Sequence, residues 1–166
     1  MEINEIFEII RNLSEEAVEL REDSPDPSIF VKPDSLLGVM KELRNRTEFA
    51  FDALQNQTAI HEGENFRVFW VLYSYSRKHK LTVESIISLD KPQISSVAGI
   101  WKTADWLERE TFDLFGIDFT GHPDLRRIML PEDWEGFPLR KNYKNPTTYQ
   151  DVDNTPSDIT ESFKLD

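Results

Sequence analysis

An alternating run of apolar residues in the middle of the chain restricts the fold more than any other feature. Residues 66–73 read FRVFWVLY, residues 81–87 read LTVESII, and a basic turn at residues 77–80 separates them. Alternation with a period of two is typical of β-strands, so the pattern predicts a hairpin. Apolar side chains occur on both faces of the first strand, which indicates a strand covered on both sides or by a partner. We therefore expect this hairpin at the centre of the fold.

Three segments have the spacing of amphipathic helices. Residues 3–13 repeat apolar side chains every three or four positions, and residues 97–115 form the third such segment. The second helix should begin near Pro33, with Asp34 or Ser35 as its N-cap. The side chains that it directs inward are Leu36, Leu37, Met40 and Leu43.

Short strands are predicted at residues 16–22 and 28–32, on either side of a Ser-Pro-Asp-Pro turn. Strands that alternate with helices in this way predict the α+β class. The expected architecture has two layers, with helices packed on a mixed β-sheet, and an extended C-terminal tail.

The chain changes character after Ile117, which predicts three parts. Residues 1–117 have the pattern of an α+β core domain. Residues 118–143 are rich in proline, glycine and charge but keep nine large apolar residues, a mixture typical of an extended segment that lies on a surface and docks a partner. Residues 144–166 have few apolar anchors, so we expect this tail to be ordered mainly by contact with a partner.

The charge balance excludes two classes of partner. Of the 166 residues, 31 are acidic and 19 are basic, which gives a net charge of −12. A surface this negative repels phosphate backbones and anionic lipid headgroups, so we expect neither nucleic-acid binding nor direct membrane binding. No apolar run approaches the roughly 20 residues of a membrane-spanning helix. The N-terminus lacks the basic n-region of a signal peptide, which indicates a cytoplasmic protein.

The absence of cysteine and the scarcity of glycine limit the groups that the chain can hold. Without cysteine, disulfides, thiolate zinc sites, thiol nucleophiles and cysteine-ligated iron–sulfur clusters are all excluded. No pair among the six glycines builds a phosphate-binding loop, so the dinucleotide fingerprint and the P-loop are both absent. We therefore predict that the chain binds no cofactor and no metal, and that it has no catalytic residue of its own.

The three histidines are the remaining candidates for metal or catalytic chemistry. His61 lies in a polar loop, His79 in the basic turn and His122 before a proline. None has a second histidine three or four residues away, which a metal pair on one helix needs. We interpret them as surface or structural residues. The alternative is a free-standing metal hydrolase that uses the three histidines and nearby acids.

Glu108 does not fit the pattern of the third helix. On a helical wheel it lies within the apolar arc, whereas Arg109 and Asp113 lie on the polar side and are spaced to pair with each other. An isolated buried carboxylate is costly, so Glu108 must be paired or protonated if it is buried. Three interpretations are open: an ion pair of Glu108 with Arg126 or Arg127, a carboxyl group with a raised pKa that relays protons, or a side chain that faces solvent or a partner protein.

The run from residue 105 to residue 143 resembles a known family. Its motifs are DWLERE at 105–110, FDLFGI at 112–117, GHPDLRRI at 121–128, LPEDWEG at 130–136 and PLRK at 138–141, followed by Tyr143. This long and nearly ungapped run is similar to the 30 kDa subunit of respiratory complex I, which in bacteria is the C subunit of NADH:quinone oxidoreductase. The likeness covers residues 30–143, including a strand-like segment at 51–60, although His61 and Glu62 replace the usual acidic and aromatic pair.

The resemblance implies two sets of site residues. Those that match the family signature, with a structural role, are Glu108, Arg109, Glu110, Asp113, Phe115, Gly116, His122, Pro123, Arg126 and Arg127. Those that would dock against a partner are Pro131, Trp134, Phe137, Pro138, Leu139, Arg140 and Tyr143.

The resemblance also implies a role within a larger assembly. Members of the family are hydrophilic subunits of the peripheral arm that carry no cofactor, while FMN, iron–sulfur clusters and quinone are held by other subunits. The implied partners are the 49 kDa subunit, which forms much of the quinone site, and the subunit that holds the terminal cluster. The chain would then be a non-catalytic subunit of a proton-translocating NADH:quinone oxidoreductase, peripheral on the cytoplasmic side of a prokaryotic inner (plasma) membrane. The equivalent subunit of a related membrane-bound hydrogenase, or of another reduced-carrier:quinone dehydrogenase, is the alternative.

Overall fold

The computed structural model describes residues 3–13, 18–21 and 27–154. In chain order its elements are α1 (Ile3–Leu13), β1 (Val18–Arg21), β2 (Ser28–Val31), a 3₁₀ turn (Pro33–Ser35), α2 (Leu36–Asn45), β3 (Ala53–Glu62), β4 (Asn65–Ser74), β5 (His79–Ser88), β6 (Gln93–Ser95), α3 (Thr103–Phe115), β7 (Asp118–Thr120), β8 (Thr148–Tyr149) and β9 (Val152–Asp153). In these described residues, no helix is both long and apolar enough to cross a bilayer.

A mixed five-stranded sheet in the order β1-β2-β5-β4-β3 forms the centre of the fold. β2 and β5 run parallel, and the other neighbours are antiparallel. The predicted hairpin is β4 and β5, which pair without interruption and have further strands on both sides. Its central position and the α+β class are therefore confirmed.

The sheet buries one face and leaves the other partly open. Side chains on alternate positions of β4, from Phe66 to Leu72, are fully buried in the hydrophobic core. Those between them, such as Phe69 and Val71, are half-buried and belong neither to the core cluster nor to the partly buried residues packed against it. The described helices therefore cover only one face, which gives the two layers that the sequence predicts.

Strand β3 is not visible in the alternation of apolar residues, and only the family resemblance indicates it. Its sequence, ALQNQTAIHE, directs two polar side chains, Gln57 and His61, toward the buried face. Both have hydrogen-bond partners there, and Thr111 on α3 donates to Oε1 of Gln57 at 3.0 Å. Buried polar side chains such as these hide the strand from a search for apolar periodicity, because that search counts only apolar residues.

The first two helices agree with the sequence except in detail. Ile6 and Ile10 of α1 are buried in the core. In α2 the inward set is Leu36, Val39, Met40 and Leu43, so the expected Leu37, which is half-buried, gives way to Val39. Ser35 is the N-cap residue, but neither it nor Asp34 makes a side-chain capping bond, because the 3₁₀ turn leads directly into α2.

Helix α3 begins at Thr103, six residues later than predicted. Residues 97–102 keep helical spacing but form a separate turn, in which Ile100 and Trp101 donate to the carbonyl oxygen of Val97 at 2.9 and 3.0 Å. The indole of Trp101 is buried and donates to the carbonyl oxygen of Phe51 at 3.0 Å. The apolar residues of this turn therefore fill the core without continuing the helix.

The chain after α3 first returns to the core. β7 pairs in parallel with β6, and Phe119 at its centre is 1% exposed within the core cluster. Residues 121–143, called the docking segment below, then run in turns without a helix or strand. The short β8–β9 hairpin follows, and the rest of the predicted tail, residues 155–166, lies outside the described residues.

Candidate docking site

Asp113, on α3, holds the middle of the docking segment. Its Oδ2 accepts hydrogen bonds from the backbone N–H groups of Ile128, Met129 and Leu130 at 2.9, 2.7 and 2.9 Å. Its Oδ1 accepts a bond from Nη1 of Arg127 at 2.6 Å. Bonds to an ionised acceptor are stronger than neutral ones. One buried carboxylate therefore fixes three consecutive residues of the segment against the helix.

The expected pair between Arg109 and Asp113 on a polar helix face is wrong. Both residues are buried, because the docking segment lies across that side of α3. Asp113 pairs with Arg127, while Nε of Arg109 donates to the carbonyl oxygen of Arg126 at 3.2 Å and its guanidinium stacks over the ring of Trp106. Burial would raise the pKa of Asp113, but the three N–H groups and the guanidinium outweigh it and hold that pKa below its usual range.

Arg140 fastens the far end of the docking segment. Its Nε donates to the carbonyl oxygen of Phe115 at 2.6 Å, and its Nη2 donates to that of Gly116 at 3.3 Å. Its guanidinium also lies 4.7 Å from the ring centroid of Phe137 and 5.4 Å from that of Phe66. Both carbonyls stand at the C-terminal end of α3, where the helix dipole favours a cation.

Gly116 permits this close approach. It ends α3 with φ of +73°, a conformation that favours glycine. A Cβ at this position would lie 2.5 Å from Cε2 of Phe137 and 2.6 Å from Nη2 of Arg140. The docking segment therefore packs against a surface that only glycine supplies.

Glu108 is fully buried, as the helical wheel predicts, but the expected ion pair with Arg126 or Arg127 is wrong. Its Oε2 accepts a bond from Oγ of Ser96 at 2.5 Å, and its Oε1 accepts one from the N–H of Val97 at 2.7 Å. Both arginines pair with aspartates instead. Burial raises the pKa of Glu108 to about 7, against the lowering effect of the two hydrogen bonds. The side chain thus closes the turn before α3 and titrates near neutral pH.

His122 packs beside Glu108 from the docking segment. Its side chain is fully buried, and its Nε2 lies 4.0 Å from Oε2 of Glu108 and 3.1 Å from the carbonyl oxygen of Asp105. The N–H of Asp124 donates to Nδ1 at 3.0 Å, so the proton belongs on Nε2, which donates to Asp105. These contacts are those of a residue that positions the backbone.

The other two histidines are buried in strands, so their expected positions in a polar loop and a basic turn are wrong. His61 lies in β3, where its Nε2 donates to the carbonyl oxygen of Gly63 and its Nδ1 accepts the N–H of Lys141 at 2.9 Å. His79 begins β5 and donates to the carbonyl oxygen of Phe49 at 2.7 Å. His61 is therefore a further attachment point for the docking segment. In the part of the chain that the structure describes, no group of three histidine and acidic side chains could hold a metal ion.

Of the remaining residues of the predicted signature, one is buried and three are exposed. Phe115 is buried beneath the docking segment. Glu110, Pro123 and Arg126 are exposed, and Arg126 pairs with Asp124 at 2.8 Å.

The docking segment carries apolar side chains outward although its inner side is fixed. Met129 is 61% exposed, Leu139 is 50% exposed, and Trp106, which borders the segment on α3, is 64% exposed. Of the residues predicted to dock, Pro131 and Leu139 are exposed, whereas Trp134, Phe137, Pro138, Arg140 and Tyr143 are partly buried. Trp106 and Met129 are absent from the predicted set. The outward position of Trp106 on the helical wheel is the signal that identifies it.

The first part of the tail is held by the docking segment itself. The rings of Trp134 and Tyr149 lie 5.0 Å apart, and the hydroxyl of Tyr149 donates to Oδ1 of Asp133 at 2.9 Å. The β8–β9 hairpin therefore packs on the segment within the same chain.

Comparison with known proteins places this geometry in a family context. The family model described as "Respiratory-chain NADH dehydrogenase, 30 Kd subunit" matches residues 29–149. Bacterial proteins named as the C subunit of NADH-quinone oxidoreductase are similar to this chain. The one from Chloroherpeton thalassium is 36% identical over 88% of this chain and 62% of its own length. The one from a Roseiflexus species is 39% identical over 70% and 69%, and the one from Geotalea uraniireducens is 33% identical over 83% and 85%.

Two solved structures have a similar fold. The trypsin-resistant fragment of Nqo5 matches with a TM-score of 0.64 at 22% identity, covering 75% of this chain and all of the fragment. A chain of the membrane-bound sulfane sulfur reductase, an archaeal respiratory membrane complex, matches with a TM-score of 0.72 at 19% identity, covering 98% of this chain and 91% of its own length. The chain spans 62% of the length of the Chloroherpeton relative.

Proposed function

This chain belongs to the family of the 30 kDa subunit of respiratory-chain NADH dehydrogenase, and we propose that it is a docking subunit that holds no redox centre. It is a structural subunit of the peripheral arm of an NADH:quinone oxidoreductase and helps to assemble that arm. Electron transfer to quinone and the coupled proton translocation take place on other subunits, which hold FMN, the iron–sulfur clusters and the quinone.

The two-sided character of the docking segment carries this proposal. On its inner side, Asp113, Arg140 and His61 attach it to the core. On its outer side, Met129 and Leu139 are exposed, as is Trp106 on α3, and methionine and aromatic side chains are enriched at protein interfaces. A segment that is already ordered loses little conformational entropy on binding, so its apolar surface contributes efficiently to affinity.

The partner of this surface is the 49 kDa subunit that forms much of the quinone site, with the terminal-cluster subunit nearby. Association with the membrane occurs only through the complex, on its cytoplasmic face in a prokaryote. The negative charge of the chain supports this indirect association, because anionic headgroups repel it. A related membrane-bound hydrogenase, or another reduced-carrier dehydrogenase, would use the same docking role, and the subunits that co-purify separate these cases.

Substitution of the exposed apolar side chains tests the proposal. The chain is co-expressed with the 49 kDa subunit, and the amount of each that co-purifies is measured for the wild type and for Met129→Asp/Leu139→Asp. Asn45→Asp/Gln55→Asp is the matched control, because it adds the same two charges at exposed positions of α2 and β3. We expect the first variant to lose co-purification and the control to retain it. Equal co-purification of the two variants would contradict the proposal.

A further inference from the structure

The face of the sheet that no described helix covers, called the open sheet face below, carries six large apolar side chains. These side chains are Phe30, Ile60, Phe69, Val71, Tyr73 and Ile86. Cross-strand pairing places Arg67 between Ile60 and Ile86, and Glu84 between Phe69 and Phe30, so two charged residues lie among the apolar ones. None of the six belongs to the core cluster of the described residues, and Ile60 is 46% exposed.

The charges at the centre of the open sheet face neutralise one another. Glu84 is only 2% exposed, and its carboxylate lies 3.0 Å from Nε of Arg21 and 3.7 Å from Nη1 of Arg67. Arg67 also contacts Glu62 at 2.9 Å. Two cations and two anions therefore form a network of zero net charge in a chain whose net charge is −12. An occupant of this face needs no charged group at its centre, as in the charge-depleted cores of protein interfaces.

The two ends of the open sheet face carry opposite charge. Beyond the neutralised Glu62, the turn between β3 and β4 and the end of β5 bring together the exposed acids Glu64 and Asp90. The turn between β4 and β5, at the other end, carries the exposed bases Arg77 and Lys78. This basic turn has no role in the docking site on α3.

We propose that the open sheet face binds a second, different subunit of the same complex. The matching surface is apolar at its centre, with basic residues where it meets Glu64 and Asp90 and acidic residues where it meets Arg77 and Lys78. The proposal rests on the proposed function, because it takes the chain to be part of a complex, but it concerns a surface separate from the docking segment. The chain would then lie between two neighbours.

The size and charge of the face favour this occupant. Three ten-residue strands at about 3.3 Å per residue and about 4.8 Å between strands present a face of about 500 Å², a large share of the roughly 800 Å² per partner in a standard interface. An anionic lipid surface is disfavoured by the net charge of the chain. A second copy could match opposite ends with its strands reversed, but it would bring two chains of −12 together, whose mutual repulsion opposes it.

The absence of cysteine allows a direct test of this face. Single variants Ile60→Cys and Thr58→Cys place a thiol on the open sheet face, Met129→Cys places one on the docking segment, and Lys41→Cys places one on the exposed side of α2 as the control. Each variant is expressed as the only copy of the chain in its native host. Labelling by a maleimide is then compared between the isolated chain and the complex purified from membranes.

We expect the thiols at positions 58 and 60 to be labelled in the isolated chain and to lose labelling in the complex, while position 41 reacts in both. Equal labelling of positions 58 and 60 in both states, with loss at position 129, would overturn this inference and leave the proposed function intact. Protection in the isolated chain that increases with its concentration would identify a second copy as the occupant and overturn the inference. Absence of the chain from the complex would overturn both proposals.

Discussion

Replacement of Asp113 by asparagine tests the attachment of the docking segment to the core. The side chain keeps its size, but one of its two oxygens becomes an NH₂ group. In the less costly orientation the remaining oxygen faces the N–H groups of Ile128, Met129 and Leu130, and the NH₂ group faces the guanidinium of Arg127. The NH₂ group of the asparagine then faces the N–H groups of Arg127, so two donors oppose each other. The acceptor of the three backbone hydrogen bonds is no longer charged.

The expected loss is large because the pair is buried. Asp113 is 0% exposed and the side chain of Arg127 is 17% exposed, so water replaces little of the lost interaction. Removal of one partner from a buried ion pair costs about 3–5 kcal/mol. With a urea dependence of about 2 kcal/mol per molar, the midpoint of unfolding should fall by about 2 M. If the docking segment detaches before the core unfolds, trypsin cleavage after Arg127 should accelerate instead.

Urea unfolding and limited trypsin digestion of the isolated chain measure these effects, with Glu110→Gln as the control on the exposed side of the same helix. The pKa of Asp113 is lowered by folding, so its stabilisation is present above the unfolded value near 3.8 and is lost as pH falls through the folded value. Asp113→Asn should lack this loss in acid. Unfolding midpoints and cleavage rates equal to those of the control would refute the role assigned to this carboxylate.

Three further predictions concern neighbouring contacts of α3 and the docking segment. The pKa of Glu108 is raised to about 7 on folding, so its contribution to stability is greatest below its unfolded pKa of 4.5 and declines as pH rises toward 7, by up to about 3 kcal/mol. Urea unfolding at pH 5 and at pH 7.5 should show this loss of stability in the wild type and not in Glu108→Gln. Equal losses in the two proteins would contradict the prediction. Gly116→Ala should lower stability by about 1–3 kcal/mol, because φ is positive at this position and the added Cβ would collide with Phe137. Gly99→Ala, which has no atom within 4 Å of the added Cβ, should leave thermal unfolding nearly unchanged. Similar losses in the two variants would count against the close packing of Phe137 on Gly116. Arg127→Ala should destabilise the chain by about 3–5 kcal/mol, while Arg126→Ala, which breaks only an exposed pair, should change stability by less than about 1 kcal/mol; the reverse order in urea unfolding would show that the two arginines are misassigned.

The central sheet and the family were predictable because each depends on a local pattern. The hairpin of β4 and β5 follows from alternation within about ten residues, and tertiary packing preserves it. The start of α3 was not predictable in the same way. Val97, Ile100 and Trp101 keep helical spacing, but the N–H of Val97 bonds to Glu108 and the indole of Trp101 bonds to Phe51. Such hydrogen bonds do not alter the spacing of apolar residues in the sequence.

The roles of the charged residues depended on a segment whose path the sequence does not reveal. A helical wheel places Arg109 and Asp113 in solvent, but the docking segment covers that side of α3, and the four acceptor bonds of Asp113 go to residues 14 to 17 positions later. His61 and Lys141 are 80 positions apart. The family resemblance identified these residues as a set, whereas only the three-dimensional path of the segment assigns a partner to each.

Hydrogen exchange of the docking segment tests the central claim most directly, because it reports whether the segment is ordered before it is covered. The backbone amides of Ile128, Met129 and Leu130 should already exchange slowly in the isolated chain, since each donates to Asp113. In the assembled complex, amides of exposed residues of the segment, such as Glu132 and Glu135, should slow further while those of α2 remain unchanged. Rapid exchange at 128–130 in the isolated chain, or no added protection at 121–143 on assembly, would contradict the account.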